Sequence, residues 1–568
     1  MKTRFIFLTS IFFINLILLA QTKSITIDYT SNFGVGKKMT GVNTGPHSLI
    51  SGTTEQCLQY IGTELVRTHD YHGPCDYYGY TNFFNYSSQL FNYSFQTNNP
   101  ADYYWLNTNT QISEIVNANL QPFFRLGISF PSSGGPSPAS PMPKDELSNN
   151  FYTFAGIAKR TAMHFTDGWD AGFYHTIPYW EIWNEPNHDA SWDIDSVTAY
   201  YRMYKQTVDS IKSFNPLLKV GGPGTAKNAF IALPNQPQYF INQNYVSDFF
   251  SFCQTNSVPL DFYSFHMYDR NNPYNIRILT DTLAYYLDQY GFTNTELILS
   301  ESNNDNPGYT SSAKGCSYIT SELISVVDSR LTKFIWYRGI DLNPLCNEDI
   351  GSTPSLTLTG YAYKFFNELN DSTPELMISV GNEFTTDDLT DSLNNLMILS
   401  GKNSSNSMVK VLISNHESIY TTLSISLDNL PWTSSDNISI TIDKVSASGF
   451  ETSSSTAIGG ATMTVDLNSV SDANVFLITL KKDGFTSIGS SAMNENFVLY
   501  PNPATSTVMV STTLPNYDLV LMNVHGQVLK SQKNNPEFDL TDVPNGLYFV
   551  LIQDENGERK KYKLIVAK

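Results

Sequence analysis

The chain has 568 residues and a mass of 63.7 kDa, which is too long for one hydrophobic core and suggests about three domains. Its 53 acidic residues outnumber 34 Lys and Arg, and the formal net charge of -19 argues against nucleic acid as a partner. Aromatic residues make up 13% of the chain, and flat rings with polar edges suit a cleft for neutral polar ligands.

The first twenty residues have the pattern of a secretory signal peptide. Lys2 and Arg4 precede an apolar run from Phe5 to Leu19, and small residues near Ala20 mark the expected cleavage site. The run is short for a membrane span, so we expect a mature protein without a membrane span. The predicted location is secreted or at the cell surface, reached through the periplasm.

The five cysteines permit one or two disulfides in an exported chain and leave at least one thiol unpaired. They are Cys57, Cys75, Cys253, Cys316 and Cys346. Their spacing matches no zinc pattern, and the sequence alone leaves the pairing open. Cys57 with Cys75 and Cys316 with Cys346 are only the nearest neighbours along the chain.

Strand-like and helix-like segments alternate about eight times between residues 21 and 372. The strand ELVRTHD, residues 64–70, ends in polar and charged side chains that include Arg67 and His69. Later strands are expected at 120–130, 217–226, 260–268, 296–302 and 332–341. This alternation favours a closed (β/α)8 TIM barrel, of class α/β, over an open doubly wound sheet.

The segment from Tyr71 to Trp105 is crowded with Tyr, Phe and Asn. It is too aromatic for a disordered linker and too polar for core. We interpret it as a rim for the cleft, and the alternative is a surface hairpin that packs its own aromatic side chains.

Two stretches place a glutamate just past a buried strand. WEIWNEPN, Trp180 to Asn187, breaks from an apolar strand into Glu185 and a proline, and LILSESNN ends in Glu301. Active sites of β/α barrels gather at the carboxyl ends of the strands, so the two carboxylates are expected to face each other. A pair of carboxylates is the equipment for glycoside hydrolysis, in which one protonates the leaving oxygen and the other attacks or activates water. The two pKa values must differ, so we expect one desolvated, proton-retaining Glu and one kept ionised by hydrogen bonds.

After residue 372 the hydrophobic period changes to two, with short strands separated by Asn, Asp, Ser and Gly. Residues 373–482 are therefore predicted to form an antiparallel β-sandwich without catalytic residue types. A Gly/Ser-rich linker at 483–493 precedes a last unit of short strands at 494–568.

The chain resembles the clan A glycoside hydrolases, in which the acid/base Glu follows an Asn at the end of the fourth strand and the nucleophile ends the seventh. Counted along this chain, WEIWNEPN is about the fourth strand and LILSES about the seventh. Within the clan, the segments VRTHD, QPFFRLGISF, WEIWNEPNH, VGGPGTA and FYSFHMY most resemble family 39, the family of β-xylosidases and α-L-iduronidases. The resemblance covers residues 25 to 480, including the sandwich.

The resemblance implies roles for individual residues. Glu185 would be the acid/base, Glu301 the nucleophile and Asn184 the partner of the sugar 2-hydroxyl. The other expected substrate-site residues are His266, Tyr268, His69, Arg67 and Trp336. His266 and Tyr268 lie two apart on one strand and so share a face, with Tyr268 expected to hold Glu301 ionised. Arg67 fits a structural charge partner better than a ligand contact.

One departure from the clan is that LSESNN lacks the aromatic residue that often follows the nucleophile. We therefore expect a different floor to the sugar subsite. No cofactor is predicted, and no metal site, because no Asp-rich loop has the spacing of a Ca²⁺ site.

The last unit resembles the type IX secretion sorting domain of Bacteroidetes. The segments that carry this resemblance are LYPNPATSTVMV, DLVLMNVHGQVL, VPNGLYFVLI and KKYKLIVAK. It implies a small C-terminal β-sandwich that serves as a sorting domain, with the type IX machinery as a partner. The alternative is a plain accessory β-domain.

The leading hypothesis is a secreted retaining glycosidase for polysaccharides or oligosaccharides, most like a β-xylosidase. Alternatives are an iduronidase-like enzyme, an endo-glycanase, and a non-catalytic glycan-binding surface protein. An acidic uronide substrate would need cationic side chains, for which Arg67, Arg125 and Arg338 are the obvious candidates.

Overall fold

The computed structural model describes most of the barrel, the sandwich and the C-terminal unit. The described residues are 22–46, 55–69, 75–85, 90–92, 94–128, 150–188, 191–192, 197–226, 244–268, 272–304, 306–339, 343–347, 354–380, 396–468, 470, 473–483, 498–511, 516–523, 527–554 and 559–568. The predicted signal peptide and most of the predicted linker lie outside these ranges. In the described part of the chain, no helix has both the length and the apolar character needed to cross a bilayer.

The strands and helices before residue 485 follow the predicted alternation. The strands are β1 (Thr22–Val35), β2 (Thr40–Asn43), β3 (Leu65–Arg67), β4 (Phe84–Asn85), β5 (Leu90–Phe91), β6 (Gln121–Leu126), β7 (Tyr179–Ile182), β8 (Lys219–Thr225), β9 (Phe262–Met267), β10 (Glu296–Ser302), β11 (Leu331–Trp336), β12 (Glu375–Val380), β13 (Leu396–Lys402), β14 (Met408–Asn415), β15 (Thr422–Asp428), β16 (Asn437–Ser446), β17 (Gly449–Ile458), β18 (Thr462–Asn468) and β19 (Asn474–Lys482). The described helices are α1 (Glu55–Tyr60), α2 (Tyr77–Tyr80), α3 (Leu106–Asn117), α4 (Asn150–Thr166), α5 (Val197–Phe214), α6 (Tyr245–Thr255), α7 (Asn275–Gln289), α8 (Ala313–Val326) and α9 (Gly360–Ser372).

Eight parallel strands close into a barrel, which confirms the predicted fold class. The ring runs β2-β3-β6-β7-β8-β9-β10-β11 and closes where β11 pairs with β2. The strands read as short apolar runs because the barrel interior covers one face and the helices cover the other. WEIW and LILSES belong to the fourth and seventh strands of the ring, as predicted.

The lower part of the barrel interior is filled by a compact apolar cluster from six strands. Its members are Leu65, Phe123, Tyr179, Phe262, Ile298 and Ile335. These inward-facing side chains form a packed core rather than a pore, and the polar site lies toward the carboxyl ends of the same strands.

The first strand differs from the sequence prediction, which placed residues 21–372 in the barrel. β1 pairs antiparallel with β12 and parallel with β15, and so lies inside the sheet of the sandwich. Its alternating buried side chains Ile25, Ile27 and Tyr29 join the sandwich core. This assignment could not be read from sequence, because pairing with strands so far along the chain leaves no local signal.

The sandwich is a nine-stranded sheet in the order β17-β16-β19-β14-β13-β12-β1-β15-β18. It packs against α8, whose side chains are nearly all buried between the barrel and the sandwich. The hydrogen bonds across this contact include one between Ser317 Oγ and His416 Nδ1 at 2.8 Å, one from Ser321 Oγ to Ser414 Oγ at 2.9 Å and one from Ser414 Oγ to Ser317 O at 2.8 Å.

One disulfide joins Cys57 in α1 to Cys346 after β11, across 289 positions of sequence. The other three thiols, Cys75, Cys253 and Cys316, are free and buried, so one disulfide and unpaired thiols occur as the cysteine count predicts. The pairing of chain neighbours does not occur, because α1 and the loop after β11 adjoin only once the ring has closed.

The described part of the aromatic segment 71–105 packs its own rings. Tyr103 and Trp105 are stacked with centroids 5.0 Å apart, and Tyr80 stacks on Trp105 at 5.3 Å. Tyr77, Tyr80, Phe83, Phe95, Tyr103 and Trp105 are all buried. These rings also join the main apolar core of the barrel, where Trp105 stacks on His164 with centroids 3.9 Å apart, so the described residues form neither a cleft rim nor a surface hairpin.

The C-terminal unit forms a separate compact body with its own core. Its strands are β20 (Val498–Tyr500), β21 (Thr507–Ser511), β22 (Tyr517–Asn523), β23 (Val528–Lys533), β24 (Glu537–Asp539), β25 (Gly546–Asp554) and β26 (Arg559–Val566). They make a three-stranded sheet, β20-β21-β24, and a four-stranded sheet, β23-β22-β25-β26.

Candidate active site

The candidate site lies at the carboxyl ends of the barrel strands. Asn43 ends β2, Arg67 ends β3, Glu185 follows β7, and His266 and Glu301 lie near the ends of β9 and β10. All five lie in or just after strands of one closed parallel ring, so their side chains converge at a single rim.

The backbone that presents Glu185 is held in an unusual conformation. Trp183 has φ 73° and Glu185 has φ 48°, the left-handed region that costs a bulky residue about 1–2 kcal/mol. Two hydrogen bonds hold the turn, from the Trp183 amide to Leu126 O at 2.7 Å and from the Glu185 amide to Gly224 O at 3.0 Å. The turn directs the Glu185 carboxylate back across the barrel mouth.

The two predicted catalytic carboxylates meet at His266. Its Nδ1 lies 2.8 Å from Glu185 Oε1 and its Nε2 lies 3.5 Å from Glu301 Oε1. A carboxylate oxygen of Glu185 and one of Glu301 lie within 4.8 Å of each other. Two acids 116 positions apart in sequence therefore face one small volume.

Glu301 is buried and surrounded by donors. Its Oε1 lies 2.8 Å from Arg67 Nη1 and 2.8 Å from His69 Nε2, and its Oε2 accepts from the Tyr268 hydroxyl at 2.7 Å. Burial alone would raise the pKa of this carboxyl, but the nearby His266, His69 and Arg67 side chains hold the pKa well below its usual value. Glu301 is thus kept as a carboxylate.

Tyr268 remains a hydrogen-bond donor under most conditions. Burial and the adjacent Glu301 carboxylate raise the pKa of its hydroxyl well above the usual value. The hydroxyl therefore keeps its proton and donates it to Glu301 Oε2, as the sequence predicts for this pair.

Arg67 is the hub of the buried polar network beneath the two carboxylates. Its Nε donates to Glu181 at 2.6 Å, its Nη1 to Asn43 Oδ1 at 3.0 Å, and its Nη2 to Asn184 Oδ1 at 2.9 Å. Burial alone would lower the pKa of Arg67, but Glu181 and Glu301 raise it, so the guanidinium stays charged. Arg67 is a structural charge partner, the role that its sequence position favours.

The hydrogen bond from Arg67 also orients Asn184. A guanidinium has only donors, so the atom of Asn184 that faces it is the carbonyl oxygen. The amide nitrogen then points elsewhere and is available to donate to a ligand hydroxyl.

Trp336 does not join the other predicted site residues. It is fully buried in the core layer, and its indole nitrogen donates to Asn343 O at 3.0 Å. The following residue, Tyr337, takes the place at the rim, with its ring 5.3 Å from that of His69 and 6.1 Å from that of Tyr268. Side chains alternate along a strand, so the sequence could have indicated that only one of these two neighbours faces inward.

Sequence reasoning also missed Asn43 and Glu181. Asn43 donates to Ser300 O at 2.8 Å and accepts from Arg67. The bond to Ser300 joins β2 to β10, the first and seventh strands of the barrel. Glu181 lies in the motif WEIWNEPN but reads as an ordinary strand residue. A charged residue within an otherwise apolar buried strand is the signal that could have identified it.

Three ligand-type side chains, Glu185, His266 and Glu301, lie close enough to hold a cation. The guanidinium of Arg67, 2.8 Å from Glu301 Oε1, already supplies positive charge to this carboxylate. An added metal ion would meet that charge at close range, so the arrangement suits acid-base chemistry better than metal binding.

A closed β/α barrel with two facing glutamates at the ends of its fourth and seventh strands has the architecture of the clan A glycoside hydrolases. Residues 50–320 match the model of the family described as glycosyl hydrolases family 39. The barrel therefore resembles the glycosyl hydrolases of family 39 over these residues.

A curated relative supports the family. A β-xylosidase of Geobacillus stearothermophilus is 30% identical over 109 residues, 19% of this chain and 18% of that protein. The chain thus spans about a fifth of the length of this relative.

Solved structures share the fold over most of the chain. A glucosidase from Croceicoccus marinus superposes with a TM-score of 0.63 at 18% identity, covering 81% of this chain and 99% of that one. A monomeric β-xylosidase from Caulobacter crescentus CB15 has a TM-score of 0.56 at 14% identity, covering 81% and 99%. At such identities the likeness establishes the fold of the barrel with its sandwich.

The C-terminal unit is a secretion sorting domain. Residues 498–567 match the model described as a secretion system C-terminal sorting domain. This match implies that the protein is secreted or displayed at the cell surface by the type IX system.

Proposed function

We propose that the protein is a retaining glycoside hydrolase that cleaves O-glycosidic bonds in polysaccharides or oligosaccharides, most like a β-xylosidase. The observation that carries the proposal is the facing pair of Glu185 and Glu301, with carboxylate oxygens within 4.8 Å of each other. Retaining glycosidases have carboxyl groups about 5–5.5 Å apart, whereas inverting enzymes need about 6.5–9.5 Å to admit a water. The short separation supports a double displacement.

In the first step, Glu301 attacks the anomeric carbon and Glu185 gives its proton to the departing glycosidic oxygen. The C–O bond to the leaving group breaks as an ester bond to Glu301 forms. Oε1 of Glu301 is occupied by Arg67 and His69, while Oε2 has the Tyr268 hydroxyl. Oε2 therefore keeps a lone pair for the sugar and is the attacking oxygen.

In the second step, the Glu185 carboxylate takes a proton from water, and the resulting hydroxide attacks the same carbon. The ester bond breaks, Glu301 leaves as a carboxylate, and Glu185 is again protonated. His266 Nδ1 lies 2.8 Å from Glu185 Oε1, so it can accept a hydrogen bond from the protonated acid or donate one to the carboxylate. The imidazole thus accommodates both states of the acid/base residue.

Hydrogen-bond partners distinguish the two glutamates more than burial does. The side chain of Glu301 is 5% exposed and that of Glu185 is 15% exposed, so the proposed nucleophile is the more buried of the two. Glu301 nevertheless remains ionised because Arg67, His69 and Tyr268 all donate to it. The proposed acid, Glu185, is therefore less desolvated than the sequence led us to expect, because its side chain is partly exposed to the cleft.

Two of the three arginines that could bind a uronide carboxylate, Arg67 and Arg125, are already engaged by protein partners. Arg67 is engaged by Glu181 and Glu301, and Arg125 donates to Asp76 at 3.0 Å and to Ile128 O at 2.7 Å. A uronide carboxylate would therefore have to compete with protein partners for these two arginines. The alignment with a β-xylosidase supports the same choice over an iduronidase-like activity.

The test is a panel of nitrophenyl glycosides, with β-xyloside expected to be the best substrate. Glu301→Gln should abolish turnover, and Glu185→Gln should slow substrates with poor leaving groups far more than activated ones. Glu296→Gln is the matched control, because it makes the same change at the opposite end of β10. Undiminished turnover by Glu301→Gln would exclude the nucleophile assignment.

A mechanism-based 2-fluoro glycosyl fluoride separates a hydrolase from a glycan-binding barrel. A retaining enzyme should gain the mass of one sugar on the peptide that contains Glu301, and Glu296→Gln should be labelled equally. Binding of glycans without any labelling or hydrolysis would favour the non-catalytic alternative.

We further propose that the chain passes through the periplasm to the outside and that its sorting domain is removed after export across the outer membrane. The match of residues 498–567 supports this route. Deletion of residues 494–568 should leave the protein inside the cell envelope, which immunoblots of cell fractions would reveal. Unchanged export of the shortened chain would exclude the route.

A further inference from the structure

A third glutamate lies directly behind the two facing carboxylates. Glu181 belongs to β7 and its side chain is fully buried, as is that of Arg67. Its Oε2 lies 2.6 Å from the Arg67 guanidinium. A fully buried ion pair is costly to build in an apolar strand, so its place beside the site calls for a reason.

The geometry of Arg67 connects Glu181 to the reacting groups. One edge of the guanidinium faces Glu181, while Nη1 faces Glu301 at 2.8 Å and Nη2 faces Asn184 at 2.9 Å. Because the guanidinium is planar and rigid, fixing the first edge also fixes the directions of the two terminal nitrogens. Glu181 therefore sets where Arg67 points without itself reaching the cleft.

The same pairing sets the charge that Glu301 meets. A single guanidinium lies between two carboxylates, so part of its positive charge is already balanced by Glu181 before Glu301 is considered. Without that balance, a full cation would lie 2.8 Å from the nucleophile and make it less basic. A less basic carboxylate attacks carbon more slowly but leaves from carbon more readily.

We propose that Glu181 is a positioning residue of the reaction, which holds Arg67 and offsets its charge so that Glu301 stays hydrogen-bonded yet nucleophilic. The buried ion pair thus balances formation of the glycosyl-enzyme against its breakdown. This inference rests on the proposed function and adds a role that acts only through Arg67.

The test is Glu181→Gln, which keeps the shape and an accepting oxygen but removes the charge. Glycosylation, followed as kcat/KM, should fall by roughly tenfold, since a neighbouring charge shifts a pKa by about 1–3 units and only part of that shift appears in the rate. Deglycosylation, followed as the steady-state rate after a burst with a dinitrophenyl glycoside, should be unchanged or faster. The acid limb of kcat/KM should move to lower pH.

The matched control is Glu322→Gln, which neutralises another buried glutamate, in α8 at the sandwich contact. It should leave both rates and the acid limb as in the wild type. An equal loss in both steps of Glu181→Gln with an unmoved acid limb would mean that Glu181 is only structural, and unaltered rates would also overturn the inference.

If Glu181→Gln does not fold, Glu181→Asp tests the same inference. It keeps the charge but withdraws it from Arg67 by one methylene, so the same split between the two steps is expected at a smaller size. A wild-type ratio of the two rates would overturn the inference. Wild-type protein inactive on every glycoside would instead count against the proposed function, so the two failures are distinguishable.

Discussion

At the scale of single residues, the direction of each hydrogen bond in the site follows from which of the two partners can donate. Arg67 can only donate, so its partners Glu181, Glu301, Asn43 and Asn184 must all present oxygens. Because Arg67 only donates, the amide oxygens of Asn43 and Asn184 face it, and its charge helps to keep Glu301 ionised. The reactive behaviour of each group can therefore be tested by removing one donor at a time.

Tyr268→Phe removes one donor from Glu301 and leaves the ring in place. A hydrogen bond to a charged group is worth about 1.5–3 kcal/mol, so kcat should fall roughly 10- to 100-fold if the bond is strongest in the transition state. KM should change little. Steady-state kinetics on the preferred nitrophenyl glycoside would measure this, and Tyr337→Phe, which leaves the bond to Glu301 Oε2 intact, is the control.

The lowered pKa of Glu301 predicts activity far into the acid range. The acid limb of kcat/KM should lie below the ordinary glutamate value of about 4.3. His69→Gln removes a neighbouring side chain that lowers this pKa, so its acid limb should move to higher pH. A pH profile of both proteins measures the shift, and an acid limb of His69→Gln at or below the wild-type position would contradict it.

The same pKa has a consequence for stability. A carboxyl whose folded pKa is depressed stabilises the fold above its unfolded pKa, and this contribution is lost as the pH falls through the folded pKa. Unfolding curves of the wild type should therefore show the Glu301 contribution declining only in strong acid.

The sequence alone singled out the two glutamates that we propose react, but not every side chain that supports them. Glu185 and Glu301 stand out because each lies at the carboxyl end of an apolar strand. Asn43 and Glu181 contact Arg67, and their sequence signal, a single polar residue in an apolar strand, is weaker. Trp336 and Tyr337 are adjacent aromatics, and only the alternation of the strand decides which of them faces the site. Such choices depend on pairing partners that are distant in sequence.

At the scale of elements, the strand ends and their loops create the site. β8 ends beside β7, and Gly224 in β8 has φ +62° and accepts a hydrogen bond from the Glu185 amide. A Cβ at Gly224 would lie 3.2–3.4 Å from His266 Nε2, Glu181 Oε1 and Arg67 Nη2. The backbone thus passes close to the network from behind.

Gly224→Ala should therefore disturb both fold and activity. The left-handed conformation costs an alanine about 1–2 kcal/mol, and the added methyl presses on His266 and Arg67. We expect a lower urea midpoint and a reduced kcat. Gly291→Ala is the matched control, since its φ is also positive but its Cβ would meet no atom within 4 Å; a kcat that falls equally in both variants would contradict the argument.

The sequence predicted the barrel elements well, because each strand and helix carries its own hydrophobic period. The predicted bounds of β10 coincide with those observed, and WEIW and LILSES fall on the fourth and seventh strands. The membership of β1 in the sandwich was missed, since a strand's period does not identify the strand with which it pairs.

At the scale of the whole molecule, the disulfide between Cys57 and Cys346 joins α1 to the segment that follows the last strand of the barrel. A long loop raises the entropy that the bond removes from the unfolded chain, and losing the bond should cost roughly 2–5 kcal/mol. Cys57→Ala with Cys346→Ala should lower the melting temperature and leave kcat unchanged. Calorimetry measures this, and Cys253→Ala, a buried free thiol, controls for the loss of sulfur.

β1 lies between β12 and β15, so the earliest described strand of the chain is gripped on both sides by segments synthesised only after the entire barrel. In a polypeptide that is translocated amino end first, β1 stays unpaired until β12 and β15 have followed it through the pore. The sheet of the sandwich is therefore completed only after the whole barrel has been synthesised, and residues 373–482 grafted onto a foreign barrel would lack the strand that lies between β12 and β15.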